Sequence, residues 1–285
     1  VKYILAISGG VDSVVLLEKA AQREILTDAV FPDDFIVAHF DHGIRGVDST
    51  NDAEFVRELA ADYGVKFVLE QGNLPADCNE QTAREKRHDF LRDAAAGQKI
   101  VTAHHSDDLL ETIIINLIRG TGWRGLAPMY NERIVRPLLD MTKTEIVQYA
   151  IENDLKWVED ETNFSSNYFR NRVRDFMIQI PTTKRRQFVE LYEKQKKLRD
   201  EIEAEIAKYD NLQLSRKFLI EIPEIVAIEI LRTTTDGRLT YPQLNRLLNF
   251  VKTAKAHKRT EYGKLKITVT NTEVKLHQNV VSSRA

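Results

Sequence analysis

Residues 1–22 read VKYILAISGGVDSVVLLEKAAQ, and the six residues at their centre, SGGVDS from Ser8 to Ser13, decide the reading of the fold. The run from Tyr3 to Ile7 is short, apolar and partly β-branched, which predicts a strand. Beyond the motif, Val11, Val14, Val15, Leu16 and Leu17 line one broad helical face. SGGVDS is therefore expected on a strand-to-helix turn. Such a turn presents unpaired backbone N–H groups and the positive end of the helix dipole, which together suit a phosphate. Gly9 and Gly10 let the backbone approach that phosphate closely. The string has neither the Gly-Lys-Ser/Thr ending of a Walker A loop nor the third glycine of a dinucleotide fingerprint. The plainer alternative is a tight turn in which Ser8 only caps the helix.

Outward from this turn, short apolar runs at 3–7, 35–39, 65–69 and 99–103 alternate with amphipathic stretches at about 12–26, 49–63, 80–96 and 107–119. That alternation predicts an α/β fold, doubly wound around a mainly parallel sheet. A further strand is expected over Arg133 to Val135, ended by Pro137, and a helix from Thr142 to Asn153 with Thr142 and Glu145 at capping-box spacing. In such open sheets ligands bind beyond the carboxyl ends of the strands. SGGVDS, HFDHGIR and AHHSDD all fall at that edge. From Pro181 the texture changes to a long charged helical stretch at 184–210, apolar periodicity at 224–232 and 240–251, and a terminal hairpin at 262–276. Two domains are expected, residues 1–182 and a smaller, mainly helical 183–285.

Hydrophobic residues at 42% and charged residues at 29% of 285 describe a soluble globular protein. No apolar run reaches the ~20 residues that span a bilayer, and no secretory leader opens the sequence. The single cysteine, Cys78, has no internal partner for a disulfide, so a cytoplasmic setting is expected. The net charge of −2 is divided unevenly, with 11 Lys+Arg against 21 Asp+Glu in residues 1–118 and 30 against 22 in 119–285. A polyanion is drawn to the second half, although a solvated helical surface explains much of the same excess.

Four stretches carry candidate chemistry. In HFDHGIR, His39, Asp41, His42 and Arg45 gather where the second strand ends, which fits a nucleotide-adjacent site, a zinc site short of ligands, or plain loop polarity. In AHHSDDLLET, Asp107 and Asp108 lie four and three residues before Glu111, so three acids share the first turns of a helix beside His104. Hard oxygen ligands of this kind favour magnesium, whereas acids at a helix N-terminus also complement its dipole. The same helix is expected to stop at Gly120, presenting Arg119 with Arg124 nearby for a phosphate. In EDETNFSSNYFRNRVR, Asp160 and Asn163 precede Arg170, Asn171, Arg172 and Arg174, whose differing directions on a helix suit a phosphate backbone.

Taken together and in order, SGGVDS, HFDHGIR, TAREKRHDFL, AHHSDDLLET, LIRGTGWRGL, RPLL and EDETNFSSNYFRNRVR resemble the tRNA(Ile)-lysidine synthetase family of N-type ATP pyrophosphatases across roughly residues 4–175. The resemblance implies an adenine nucleotide alpha hydrolase-like domain, ATP and Mg2+. The implied activity is ligation of free lysine to C2 of the wobble cytidine in tRNA(Ile) with a CAU anticodon. The cytosine O2 would attack the α-phosphate, releasing pyrophosphate, and the lysine ε-amine would then displace AMP. On this basis Ser8, Gly9, Gly10, Asp12 and Ser13 would hold the nucleotide, joined by His39, Asp41, His42, Arg119 and Gly120. Asp12 and Asp108 would hold the metal. Asp12, Arg84, His104, Asp107, Asp108 and Glu111 would form the catalytic set, with His104 or a carboxylate taking the proton from the amine. tRNA contacts would come from Arg45, Arg124, Asp160, Asn163, Arg170, Asn171, Arg172 and Arg174. The match is looser from 184 onward, and the third, C-terminal domain of longer members is not expected. Rival readings are a tRNA thiolation enzyme, a small-molecule carbon–nitrogen ligase, and a tRNA-binding module without catalysis.

Overall fold

The computed structural model describes residues 1–278 except 44–46, 76, 77, 130, 160–167, 179, 209–213 and 264. Strands and helices alternate as β1 (Tyr3–Ala6), α1 (Val11–Ala21), β2 (Phe35–Asp41), α2 (Val47–Asp62), β3 (Lys66–Gln71), α3 (Glu80–Ala95), β4 (Lys99–Val101), α4 (Ser106–Ile118), β5 (Ile134–Val135) and α5 (Lys143–Glu152). The five strands pair in the order β3-β2-β1-β4-β5, all parallel. The expected doubly wound sheet is present.

Alternation along the strands builds two cores, because successive side chains leave a strand on opposite faces. Leu5 and Val37 face Val15 and Leu16 of α1, Val56 and Ala60 of α2, and Ile146 and Ala150 of α5. Ile4 and Ala38 face Phe90, Leu91 and Ala95 of α3. The chain leaves β1 for β2 on one side and returns to β4 on the other, so the ends of β1 and β4 form the switch point where such sheets bind ligands. The Ser8–Ser13 turn follows β1 and the His104–His105 pair follows β4.

Helix α4 does not return onto the sheet beside α3. Its Leu110 and Ile115 pack on Val173 and Met177 of α6 (Tyr168–Ile178), and its Leu109 and Ile113 pack on Tyr192 of α7 (Thr182–Ala207).

By compactness the chain divides into Val1–Lys196 and Lys197–Ala285, a division that falls within α7, whereas residue 182 is where that helix begins. The second unit contains α8 (Arg216–Glu221), α9 (Glu224–Thr234), α10 (Tyr241–Thr253), β6 (Lys258–Tyr262), β7 (Leu265–Val269) and β8 (Val274–Gln278). Leu219, Ile228, Leu231, Leu244, Leu248 and Ile267 make its core. The expected hairpin is a three-stranded antiparallel sheet, because KRTEY at 258–262 adds an edge strand whose polarity hides it from an apolar pattern. Arg216 donates to the carbonyls of Val251 at 2.8 Å and Ala254 at 2.6 Å, satisfying the end of α10. Among the described residues no helix is long and apolar enough to cross a membrane.

Leu16 is fully buried between α1 and the sheet. Leu16→Ala is expected to lower unfolding stability by about 2–5 kcal/mol. Urea titration followed by far-UV circular dichroism checks this, with native signal retained in buffer.

Candidate active site

The turn after β1 is held by one hydroxyl. Ser13 Oγ accepts the N–H of Ser8 at 3.2 Å and of Gly9 at 3.1 Å, and donates to the Gly10 carbonyl at 2.8 Å. Ser13 is buried, so this geometry is shielded from water. Gly9 takes φ +94°, where a side chain is strained, and an added Cβ would lie 3.3 Å from Val56 Cγ2. Its carbonyl accepts the N–H of Val158 at 3.0 Å. Gly10 is the N-cap residue of α1. The N–H groups of Val11 and Asp12, in the first turn, have no carbonyl one turn earlier within the helix. They sit where the dipole is positive, and Ser13 fixes the backbone leading to them.

Three acids surround His105, the buried N-cap residue of α4. Its Nε2 lies 3.5 Å from Asp108 and 3.9 Å from Asp12, and its Nδ1 lies 3.8 Å from Asp107. Its backbone N–H donates to Asp108 Oδ2 at 3.1 Å, closing the helix start. Burial pushes the Asp108 carboxyl above the usual range, a shift that Asp12 and Glu111 reinforce and His105 opposes.

Cations from later helices bind the same acids. Lys143 Nζ donates to Asp12 at 2.6 Å, and its backbone N–H donates to Asp107 Oδ2 at 2.7 Å. Arg185 Nη1 takes the other Asp107 oxygen at 2.6 Å. Arg174 Nε donates to Glu111 at 2.8 Å. Asp107 thus ties the starts of α5 and α7 to α4 through both oxygens, and Glu111 anchors α6. Among the described residues no group of three or more His, Cys, Asp or Glu side chains gathers to hold a metal. Mg2+ does not require one, since it takes one or two carboxylates and completes its shell with water and phosphate oxygens. Asp12 and Asp108, flanking one imidazole edge beside the phosphate-ready turn, fit that demand.

His104, the other histidine of the pair, faces a different field. Its Nδ1 lies 2.8 Å from Thr102 Oγ1. Burial pushes its pKa down to about 3, aided by Arg136, Arg87 and Arg84. Arg136 is itself partly buried, and its Nε has no hydrogen-bond partner among the described residues.

The other expected site residues divide by position. His39 is buried at the end of β2 with Nδ1 2.9 Å from the Ile7 carbonyl, and burial lowers its pKa. Asp41 accepts the Gly43 N–H at 2.7 Å, and the His42 ring meets Phe40 edge-on at 4.9 Å. Arg119 caps the far end of α4, where Gly120 with φ +69° stops the helix as expected. Thirteen residues at 1.5 Å each place Arg119 about 20 Å along the helix from Ser106. The structure therefore does not bring Arg119 and Gly120 to the turn after β1. Arg124 stacks over Trp123 at 4.7 Å, and Arg172 is exposed on α6. Arg45, Asp160, Asn163 and the side chains of Arg170 and Asn171 lie outside the described residues.

Sequence reasoning missed His105, Lys143, Arg185 and Arg136. A signal for two of them was present: Lys143 and Arg185 occupy the first turns of α5 and α7, where the helix dipole disfavours a cation unless an acid holds it.

The PP-loop domain family profile matches residues 1–180. A tRNA(Ile)-lysidine synthase from Solibacter usitatus is 38% identical over 176 residues, covering 60% of this chain and 38% of that protein. One from Thermotoga maritima is 36% identical over 188 residues, covering 62% of this chain and 44% of the relative. The chain thus spans less than half the length of these curated relatives. Among solved structures, the U34-tRNA thiolase NcsA from Methanococcus maripaludis with its [4Fe-4S] cluster superposes with a TM-score of 0.56 at 17% identity, over 70% of this chain and 71% of that one. At that identity the likeness is one of fold.

With its pKa near 3, His104 stays neutral through physiological pH while the unfolded chain's histidine protonates near 6.5. Its contribution to stability is therefore complete above pH 6.5 and is lost as pH falls toward 3. Heteronuclear NMR should show its ring carbon shifts flat between about pH 5 and 8, the range in which an ordinary histidine titrates.

Proposed function

Because the chain belongs to the PP-loop domain family, we propose that it uses ATP to ligate lysine to C2 of the wobble cytidine of an isoleucine tRNA with a CAU anticodon. The observation that carries this reading is the Ser13-held turn, which aims the start of α1 at a site flanked by Asp12 and Asp108. The name carried by the curated relatives supports the tRNA and the lysine.

The chemistry divides into two displacements. Cytosine O2 attacks the α-phosphorus of ATP, an O–P bond forms, and pyrophosphate leaves with its bonding pair. The lysine ε-amine then attacks C2, the C2–O bond breaks, AMP leaves and the amine loses a proton. In the first displacement the N–H groups at the start of α1 stabilise the leaving pyrophosphate. Asp12 and Asp108 would hold Mg2+, which when bound offsets charge on phosphate oxygens. Lys143, which rests on Asp12, would add a positive charge beside the phosphates.

The second displacement needs a neutral amine, and lysine's ε-amino group is almost wholly protonated at pH 7. His104 is a poor acceptor because burial and three arginines disfavour its charged form. A carboxylate on the acidic side of the site would take that proton instead. Arg84 would face the activated base from the positive side. Arg45, Arg124, Asp160, Asn163, Arg170, Asn171 and Arg172 remain proposed tRNA contacts, while Arg174 would serve through its hold on Glu111.

A thiolation reading is weaker for a chemical reason. Iron–sulfur clusters are held by several cysteine thiolates, and this chain carries one cysteine, Cys78.

Protein mixed with ATP, Mg2+, labelled lysine and a transcript bearing CAU is expected to transfer label to the RNA. Failure of transfer, with AMP released only when a sulfur donor is added, would favour thiolation. Asp12→Ala should abolish adenylation and leave transcript retention on a filter within about twofold, since phosphate contacts elsewhere dominate RNA affinity.

A further inference from the structure

The departure of α4 from the sheet leaves room for a cavity on the α3 face. On the α3 side, α3 covers β2, β1 and part of β4, while α4 packs on α6 and α7, so the β4–β5 end of that face lacks a second helix. A cavity of about 450 Å³ lies there, floored by Ile100 and Ile134. Arg84, His88 and Arg92 line one wall and Arg133 the other. Residues 84, 88 and 92 are four apart and share one face of α3, so the wall runs about 12 Å along the helix.

The charge of this cavity is unbalanced. Arg92 is paired with Asp89, and Glu85 accepts the Gln81 amide at 2.9 Å. Neither Arg84 nor Arg133 pairs with an acid among the described residues. Burial, joined by the charges of Arg87, Arg84, Arg92 and Arg136, pushes the His88 imidazole pKa down. Five arginines, counting Arg133, therefore stand in or around a cavity whose lining acids are Glu85 and Asp89.

An apolar floor beneath the guanidiniums of Arg84 and Arg133 has the composition of a single-stranded nucleic-acid site, where bases lie on apolar surface and phosphates meet cations. A small inorganic anion would use the arginines and leave the floor bare. An acidic peptide would gain nothing from the continuity of the cavity with the catalytic edge. That continuity runs through Arg84, which lines the cavity from near the start of α3, the end of that helix that follows the carboxyl edge of β3. We propose that this groove binds single-stranded RNA, seating a nucleotide that flanks the modified one with its base toward Ile134 and its phosphate against Arg133. This rests on the reading of the catalytic edge as acting on tRNA.

The test uses a fluorescein-labelled anticodon stem-loop bearing CAU. Its affinity is measured by anisotropy across a salt series for the wild-type chain, Arg133→Glu, Arg133→Ala and Gln98→Glu. Arg133 is exposed and Gln98 only half-buried, so none of these substitutions reaches the core. The two Glu variants are expected to weaken RNA binding by about fivefold or more, and Arg133→Ala to reduce the slope of log K against log salt by about 0.7, the value of one single-strand phosphate contact. ATP affinity, measured calorimetrically on the same preparations, should not change. Wild-type affinity and slope in all three variants would overturn the groove, as would a wild-type chain that does not bind the stem-loop. Lysine transfer that continues while the variants bind RNA normally would refute the groove and leave the proposed reaction standing. Arg133-dependent RNA binding without any lysine transfer would do the reverse.

Discussion

One buried hydroxyl organises the catalytic edge. Ser13 Oγ collects two backbone N–H groups and returns its proton to a carbonyl within the same turn, so the chain between β1 and α1 cannot collapse onto its own donors. Without it the buried Gly9 N–H would lose its partner, at a cost of about 1–3 kcal/mol, and the Ser8 N–H, on an exposed residue, would be released from the turn. The positive φ of Gly9 and the bond from Val158 to its carbonyl fix the same turn from the other side. The donors at the start of α1 stay aimed outward because these three constraints agree.

Around that turn the structure keeps two opposed fields a residue apart. On the His105 side, Asp12, Asp107 and Asp108 converge, and Lys143 and Arg185 relieve the repulsion from helices far away in sequence. On the His104 side, Arg84, Arg87 and Arg136 dominate, and the imidazole stays neutral. The proposed reaction would bring magnesium and a cationic amine as well as phosphate to this site, and such a division would let each charged group meet its complement without crossing the other field. Of these arginines, Arg84 also lines the cavity beside α3, on the face that α4 leaves by packing on α6 and α7.

Much of this was legible in the residues. Apolar runs located β1 to β4, the Thr142–Glu145 spacing located the start of α5, and Gly120 located the end of α4. SGGVDS announced its turn because few other uses exist for two glycines between a strand and a helix. What stayed hidden depends on distances between segments. Nothing local distinguishes His104 from His105, yet one faces arginines and the other acids. Nothing near Asp107 and Glu111 in the sequence announces the cations that hold them, Arg185, Lys143 and Arg174, which arrive from elsewhere in the chain. Strand β6 was missed because an edge strand of charged residues has no apolar period. Arg119 was misplaced relative to the turn because its nearness in sequence to the acids is spent along the length of a helix.

The central claim is that the opening of α1 grips the triphosphate through its backbone. Amide chemical shifts recorded by TROSY NMR during titration with ATP and Mg2+ test it directly. The account predicts that the largest changes fall on the N–H groups of Gly10, Val11 and Asp12. Saturable binding that leaves those three amides unmoved while shifting signals elsewhere would contradict it.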